Sequence, residues 1–175
     1  MTPVSSPTLL IAIAALTATP AVLADDLSFG LGLGTPYGGS LGTNLSYQLH
    51  DHIDTLAALG LNQDGAGWEV GARVYPSTAF SNHRDWRLSV LYGTNTVLEI
   101  STCNGYYCKS DYESFNGLTL GIGWGTRAGY QGWGIDLLYI TSSAADDRID
   151  ELQNRGYYLD DTPRIDLSSG YQWDF

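Results

Sequence analysis

From Leu27 to Phe175, apolar side chains recur at every second position in runs bounded by turn residues. Successive side chains of a strand point to opposite faces, so each run predicts a strand with one apolar face and one polar or small face. Eight runs are present. Leu27, Phe29, Leu31 and Leu33 alternate with Ser28, Gly30, Gly32 and Gly34, and Leu41, Thr43, Leu45, Tyr47 and Leu49 with Gly42, Asn44, Ser46, Gln48 and His50. Ile53, Thr55, Ala57, Leu59 and Leu61 mark the third run; Trp68, Val70, Ala72 and Val74, opposite Glu69, Gly71 and Arg73, mark the fourth. The fifth holds Trp86, Leu88, Val90 and Tyr92, and the sixth Leu118, Leu120, Ile122 and Trp124. Trp133, Ile135, Leu137 and Tyr139 form the seventh, and Ile165, Leu167, Ser169, Tyr171, Trp173 and Phe175 the eighth.

Each run is close to the ~9 to 11 residues of a tilted membrane strand, and the number of runs is even. The predicted fold is all-β: an eight-stranded antiparallel up-and-down transmembrane β-barrel. A soluble β-sandwich alternates as well, so the connections and the aromatic residues have to separate the two. With the N-terminus on the periplasmic side, the two longest links, 97–115 and 142–162, both fall outside. The periplasmic links are tight around Asp51 and around 128–129, and somewhat longer over 76–84. Long loops on one side and short turns on the other is the outer-membrane pattern.

Aromatic rings give a partly independent test, because membrane barrels carry girdles of them at the two lipid–water boundaries. Phe29, Tyr47, Trp86, Trp124, Trp133, Trp173 and Phe175 fall near the periplasmic ends of their strands, and Trp68, Tyr92 and Tyr139 near the outer ends. A soluble core would gather such rings in mid-strand.

The opposite face would line the lumen, where Glu69, Arg73, Arg87, Asp136, Arg164 and Asp166 stand among Gly, Ser, Asn and Gln. Charges inside a narrow barrel must pair, since an unpaired one costs several kcal/mol. Internal salt bridges are therefore expected, from Glu69 to Arg73 or to an Arg of a neighbouring strand. The Gly runs 30, 32, 34 and 121, 123, 125 have no phosphate-loop spacing. They fit where an interior is narrow, and they could equally leave water-filled cavities.

The first 24 residues, MTPVSSPTLLIAIAALTATPAVLA, contain an apolar stretch and end in the small-residue pattern Val22, Leu23, Ala24. They read as a secretory signal peptide (1–24) cut after Ala24, although the n-region has no Lys or Arg; the stretch is too short for a membrane anchor. The barrel domain is then 25–175. It carries the whole net charge of −11, with no basic cluster, so nucleic acid is not an expected partner. Cys103 and Cys108 flank the turn formers Asn104 and Gly105, which in an exported chain reads as a local disulfide.

With this leader, these eight runs and the terminal strand RIDLSSGYQWDF, the chain resembles the small eight-stranded outer-membrane proteins of the OmpA transmembrane-domain and OmpX type. The resemblance lies in architecture over the whole mature chain, not in a residue-level motif. It implies a location in the bacterial outer membrane, contact with its lipids and lipopolysaccharide, and a monomer. It also implies that Tyr171, Trp173 and Phe175 are the signal read by the barrel-assembly machinery. No periplasmic domain follows Phe175, so peptidoglycan anchoring of the OmpA kind is not expected.

Chemistry is weakly signalled. AADDRIDELQNRGYYLDD, with Ile149 and Leu152 three apart and Arg148, Arg155 and Gly156 late, predicts a short helix over the barrel mouth. Its Asp146, Asp147, Asp150 and Glu151 lack calcium-loop spacing and read as a solvated acidic face. His50 and His52 flank Asp51 at a turn, too few for a metal site. Ser81, His83 and Asp85 fall at the periplasmic rim, whereas lipid A deacylases, which are also small barrels, need Ser and His toward the outer leaflet. The expected protein is therefore non-enzymatic, without metal or cofactor, with Tyr106, Tyr107, Tyr112, Tyr157 and Tyr158 in surface loops that contact lipopolysaccharide, a surface or a partner. A narrow channel for very small solutes is the second reading, and a lipid-modifying enzyme the third.

Overall fold

The structure, a computed structural model, describes residues 26–76, 84–104, 107–155, 157, 159 and 162–175, with the backbone alone over 102–104, 107 and 108. The expected leader, Tyr106, Tyr158, and Ser81 and His83 lie outside the described residues.

Eight strands form one closed antiparallel barrel in sequence order. They are β1 (Leu27–Gly34), β2 (Gly39–His50), β3 (Ile53–Asn62), β4 (Gly65–Val74), β5 (Arg84–Asn104), β6 (Tyr107–Thr126), β7 (Gly132–Thr141) and β8 (Ile165–Asp174). One helix, α1 (Ser143–Asn154), follows β7. The terminal strand closes the ring by pairing with β1 from Ser28↔Asp174 to Leu33↔Ser169. Closure leaves neither sheet edge open, which is how an up-and-down barrel satisfies its backbone donors and acceptors. Among the described residues no helix is long and apolar enough to cross a membrane.

The faces are inverted relative to a soluble protein. Leu31, Leu45, Leu59, Val70, Val90, Leu120, Ile135 and Leu167 lie exposed on the outside, while Ser46, Asp54, Glu69, Arg73, Arg87, Thr119 and Asp136 are buried within. A soluble ligand-binding barrel would place its apolar residues inward.

The end of the barrel that holds Asp26 and Phe175 is the lower end. Aromatic rings contact one another at this end: Phe29 stacks with Trp173 at 6.2 Å, Trp173 meets Tyr171 at 4.8 Å, and Tyr171 meets Trp133 edge-on at 5.3 Å. Trp86 stands opposite Trp124 in the β5–β6 register, and Arg84 lies over the Trp124 ring. At the other rim Trp68 and Tyr92 pack edge-on.

The segment 97–115 departs from expectation. It is not a loop: β5 and β6 run on as a paired ribbon to Asn104↔Tyr107. The alternation hid this because the register slips between Thr94 and Thr96. An extra residue in one strand reverses which side chains face in. Below the slip the even residues Leu88, Val90 and Tyr92 point out; above it Thr96 and Leu98 are buried. Leu98, with Ile100 and Phe115, then packs on Ile149, Leu152 and Leu159, so α1 docks against the ribbon.

Candidate functional site: the stoppered lumen and its upper mouth

The inward glycines have an occupant. After β1 the chain turns at Thr35–Tyr37, a single 3-10 turn with Pro36 inside it, and drops into the lumen instead of projecting outward. Gly34 (φ 95°) and Gly38 (φ 80°) bracket the turn in backbone conformations that other residues rarely adopt. Thr35, Pro36 and Tyr37 are all buried. Side chains on Gly32 and Gly170 would run into the Tyr37 ring, one on Gly30 into Asn44 Oδ1 with the edge of that ring beside it, and ones on Gly42 and Gly60 into the Tyr37 carbonyl oxygen. Asn44 Nδ2 donates to Pro36 O at 3.0 Å and holds the turn down. The alternatives for these glycines, a narrow interior or a water-filled cavity, thus resolve into a bed for an inserted turn.

Lower down, a second glycine set serves an ion pair. Arg87 Nε and Nη2 donate to Asp136 Oδ1 and Oδ2 at 2.8 and 2.7 Å. Cβ atoms on Gly123, Gly125 and Gly134 would overlap this pair. The fork geometry satisfies both carboxylate oxygens, the arrangement a buried charge pair needs.

The lower end is sealed by the β6–β7 link. Asp54 Oδ2 accepts the Ala128 N–H at 2.8 Å, Ser28 Oγ accepts Gly129 N–H at 2.7 Å, and Gln172 Nε2 donates to the Arg127 and Tyr130 carbonyls. Arg127 lies over the buried Tyr75 ring at 4.6 Å and also donates to the Asp51 carbonyl. Asp54 is the residue the sequence reading missed. Its inward phase opposite Thr55 marked it, but it stands alone in a hydrophobic run.

Two sequence expectations are corrected. Glu69 and Arg73 do not pair: both are buried (0% and 1% exposed), and among the described residues both Glu69 carboxylate oxygens, and Arg73 Nε and Nη2, have no hydrogen-bond partner. The reason is spacing, since residues four apart on one strand lie ~13 Å apart along it. Between them at Gly71 sits the apolar layer of Leu56 and Leu91. Arg164 is not luminal either. It precedes β8, is exposed, and donates to both oxygens of Asp146 on α1 at 3.0 Å. Asp166 is half-buried near the upper mouth, where Thr35 Oγ1 approaches it at 3.4 Å.

Above the Thr35 turn lies a recess of about 420 Å³. Its walls are amides and hydroxyls, chiefly Asn62, Gln63, Thr94, Asn95 and Thr96, with Asp166 on one side and aliphatic patches from Val97 and Ile140. Asn95, the residue at the register slip, is held by Thr119 Oγ1 and the Thr141 carbonyl, which it reaches through Nδ2 at 3.1 and 3.3 Å. No protein-family model, curated protein or solved structure matches the chain. The functional argument therefore rests on this geometry.

On α1, Asp146 and Glu151 are engaged by arginines. Arg148 forks onto Glu113 of the ribbon at 2.9 and 2.8 Å and donates to Glu151 at 2.7 Å, and Arg155 donates to Glu151 at 2.5 Å. These bonds hold the Glu151 carboxyl below its ordinary value, with the Arg148 hydrogen bond the largest cause and the Arg155 charge next; the Arg148 guanidinium is pushed up by its hydrogen bond to Glu113 first and to Glu151 second. Among the described residues, no three His, Cys, Asp or Glu are grouped to hold a metal ion. The helix does not simply lie across the mouth: its apolar face is turned to the ribbon. Cys103 and Cys108 are direct cross-strand partners at the ribbon's tip.

Proposed function

We propose that this chain, after export and removal of residues 1–24, is a non-enzymatic outer-membrane β-barrel protein whose upper structure contacts lipopolysaccharide, a surface or a partner. The observation that carries the reading is the inversion of the barrel: an apolar outer wall between two aromatic rims around a polar, charged interior. Water on the outer wall would face an apolar surface far larger than a soluble monomer exposes, whereas lipid solvates it. The lower end is then periplasmic, and the assembly signal Tyr171, Trp173 and Phe175 closes the ring there.

The surface-contact reading is favoured over a pore because the lumen is stoppered twice, by the Thr35–Tyr37 turn above and by the 127–131 link below. The ribbon and α1 form a small folded platform at the upper end, with Tyr112 and Tyr157 exposed on it. Cell fractionation with a heat-modifiable mobility assay tests the location. Recovery with outer membranes, with a band that shifts only on boiling, is expected, and release with the periplasmic contents would end the reading. In planar bilayers the inserted protein is expected to remain electrically silent.

A further inference from the structure

The upper recess differs in kind from a pore vestibule, because it has a floor. Tyr37 and Pro36 fill the lumen beneath it, and Thr35 forms part of its lining. A blind recess that opens away from the termini suits a bound ligand better than a solute in transit.

Its chemistry restricts what fits. Gln63 offers an amide that both donates and accepts, and Asn62, whose Oδ1 takes the Ser40 N–H, offers its amide N–H groups. The Thr94 and Thr96 hydroxyls donate to Asn116 Oδ1 and Asn95 Oδ1 and so face a ligand as acceptors. Among the described residues, Asp166 is the one charged residue of the lining, so the local field opposes anions. The nearest basic group in sequence, Arg164, is turned to Asp146 on α1. Val97 and Ile140 supply aliphatic surface beside the polar groups. A ligand matching these walls is rich in hydroxyls, carries no phosphate or carboxylate, and has C–H faces as well as O–H edges. At about 420 Å³ the recess is near the lower end of the ~300 to 1,000 Å³ typical of small-molecule sites.

We propose that the upper recess binds a neutral saccharide unit, through Gln63, Asn62 and the threonine hydroxyls, with Asp166 excluding acidic sugars. The site rests on the surface-contact reading above and names the chemistry of what is contacted. Such a unit comes either from a free oligosaccharide or from the neutral glycan of lipopolysaccharide.

The test uses the refolded barrel in a zwitterionic detergent without a sugar headgroup. Calorimetric titration takes neutral glucan, galactan and mannan fragments, with glucose 6-phosphate and glucuronate as charged probes. At least one neutral fragment is expected to bind, and the charged probes to bind roughly tenfold more weakly or not at all. Gln63→Ala should weaken the neutral ligand several-fold, on the order of one lost hydrogen bond. Asp166→Asn should narrow the gap between neutral and charged sugars, which a merely structural role would not do. Smooth lipopolysaccharide that competes with the neutral fragment assigns the membrane glycan as source; failure to compete assigns a free sugar. No binding of any neutral fragment, or equal binding of the charged probes, overturns the proposal. A protein that lacks heat-modifiable mobility yet binds sugar would overturn the membrane reading alone.

Discussion

Arg87 of β5 and Asp136 of β7 face each other across β6 and close a two-bond fork inside the barrel, each about 2% exposed or less. Three glycines give up their side-chain volume to make room for it. Removal of one partner leaves a buried charge without compensation, whereas removal of both leaves none. Arg87→Met or Asp136→Leu alone should therefore cost about 3 to 5 kcal/mol, and the double variant should recover most of that loss. Urea unfolding from lipid vesicles, followed by the heat-modifiable band, measures both. Single variants as stable as the double would show that the pair is not coupled.

Tyr37 is the only ring in the upper lumen turn, and Gly30, Gly32 and Gly170 form its bed. Tyr37→Ala should destabilise the barrel by about 3 to 5 kcal/mol, as deletion of a large buried ring does. Gly30 is the place to refill, because the atoms nearest a side chain there belong to the Asn44 and Tyr37 side chains. Gly30→Leu should destabilise the native protein but restore part of the loss in the Tyr37→Ala background. Opposite signs in the two backgrounds, read as urea midpoints, are the expected signature.

Glu151 links α1 to Arg148, which in turn holds the ribbon through Glu113. Its carboxyl is depressed below the ordinary 4.5 by Arg148 first and Arg155 second. A depressed acid stabilises the fold above its unfolded value and loses that contribution as pH falls through the folded one. Docking of α1 should thus be constant from neutral pH to about 4.5 and weaken below it. The group is exposed, so the effect should also fade with salt. Hydrogen exchange of the α1 amides against pH provides the readout. Glu151→Gln should remove the low-pH step, and a step unchanged in that variant would assign it elsewhere.

Cys103 and Cys108 are register partners, and directly opposed residues of antiparallel strands have Cα atoms ~4.5 to 5.5 Å apart, within disulfide range. If the chain is exported as proposed, neither thiol should react with an alkylating reagent until a reductant is added. Labelling without reductant would leave the ribbon tip open.

The architecture was legible because outward-facing and lumen-facing positions alternate with a period of two, and that period survives reading in one dimension. The charged lumen residues Glu69, Arg73, Arg87 and Asp136 were identified by phase alone. Their partners were not, because pairing depends on which strands stand side by side and on stagger. Arg87 reaches Asp136 two strands away, past Gly123, and Glu69 finds no counterpart. The ribbon was read as a loop because one register slip at Asn95 reversed the phase beyond it.

The sequence by itself determined the strand count, their order, the long-link end and the apolar outer face, since these follow from local alternation and turn chemistry. Only the tertiary structure decided what fills the barrel. The strand glycines say that volume is missing, but not whether a ring, an ion pair or water takes it. That choice is made when the 35–38 turn folds inward and strands distant in sequence close around it. Contacts between residues more than a hundred positions apart, such as Tyr37 on Gly170, leave no mark on a local pattern. The glycine runs are the imprint of those contacts.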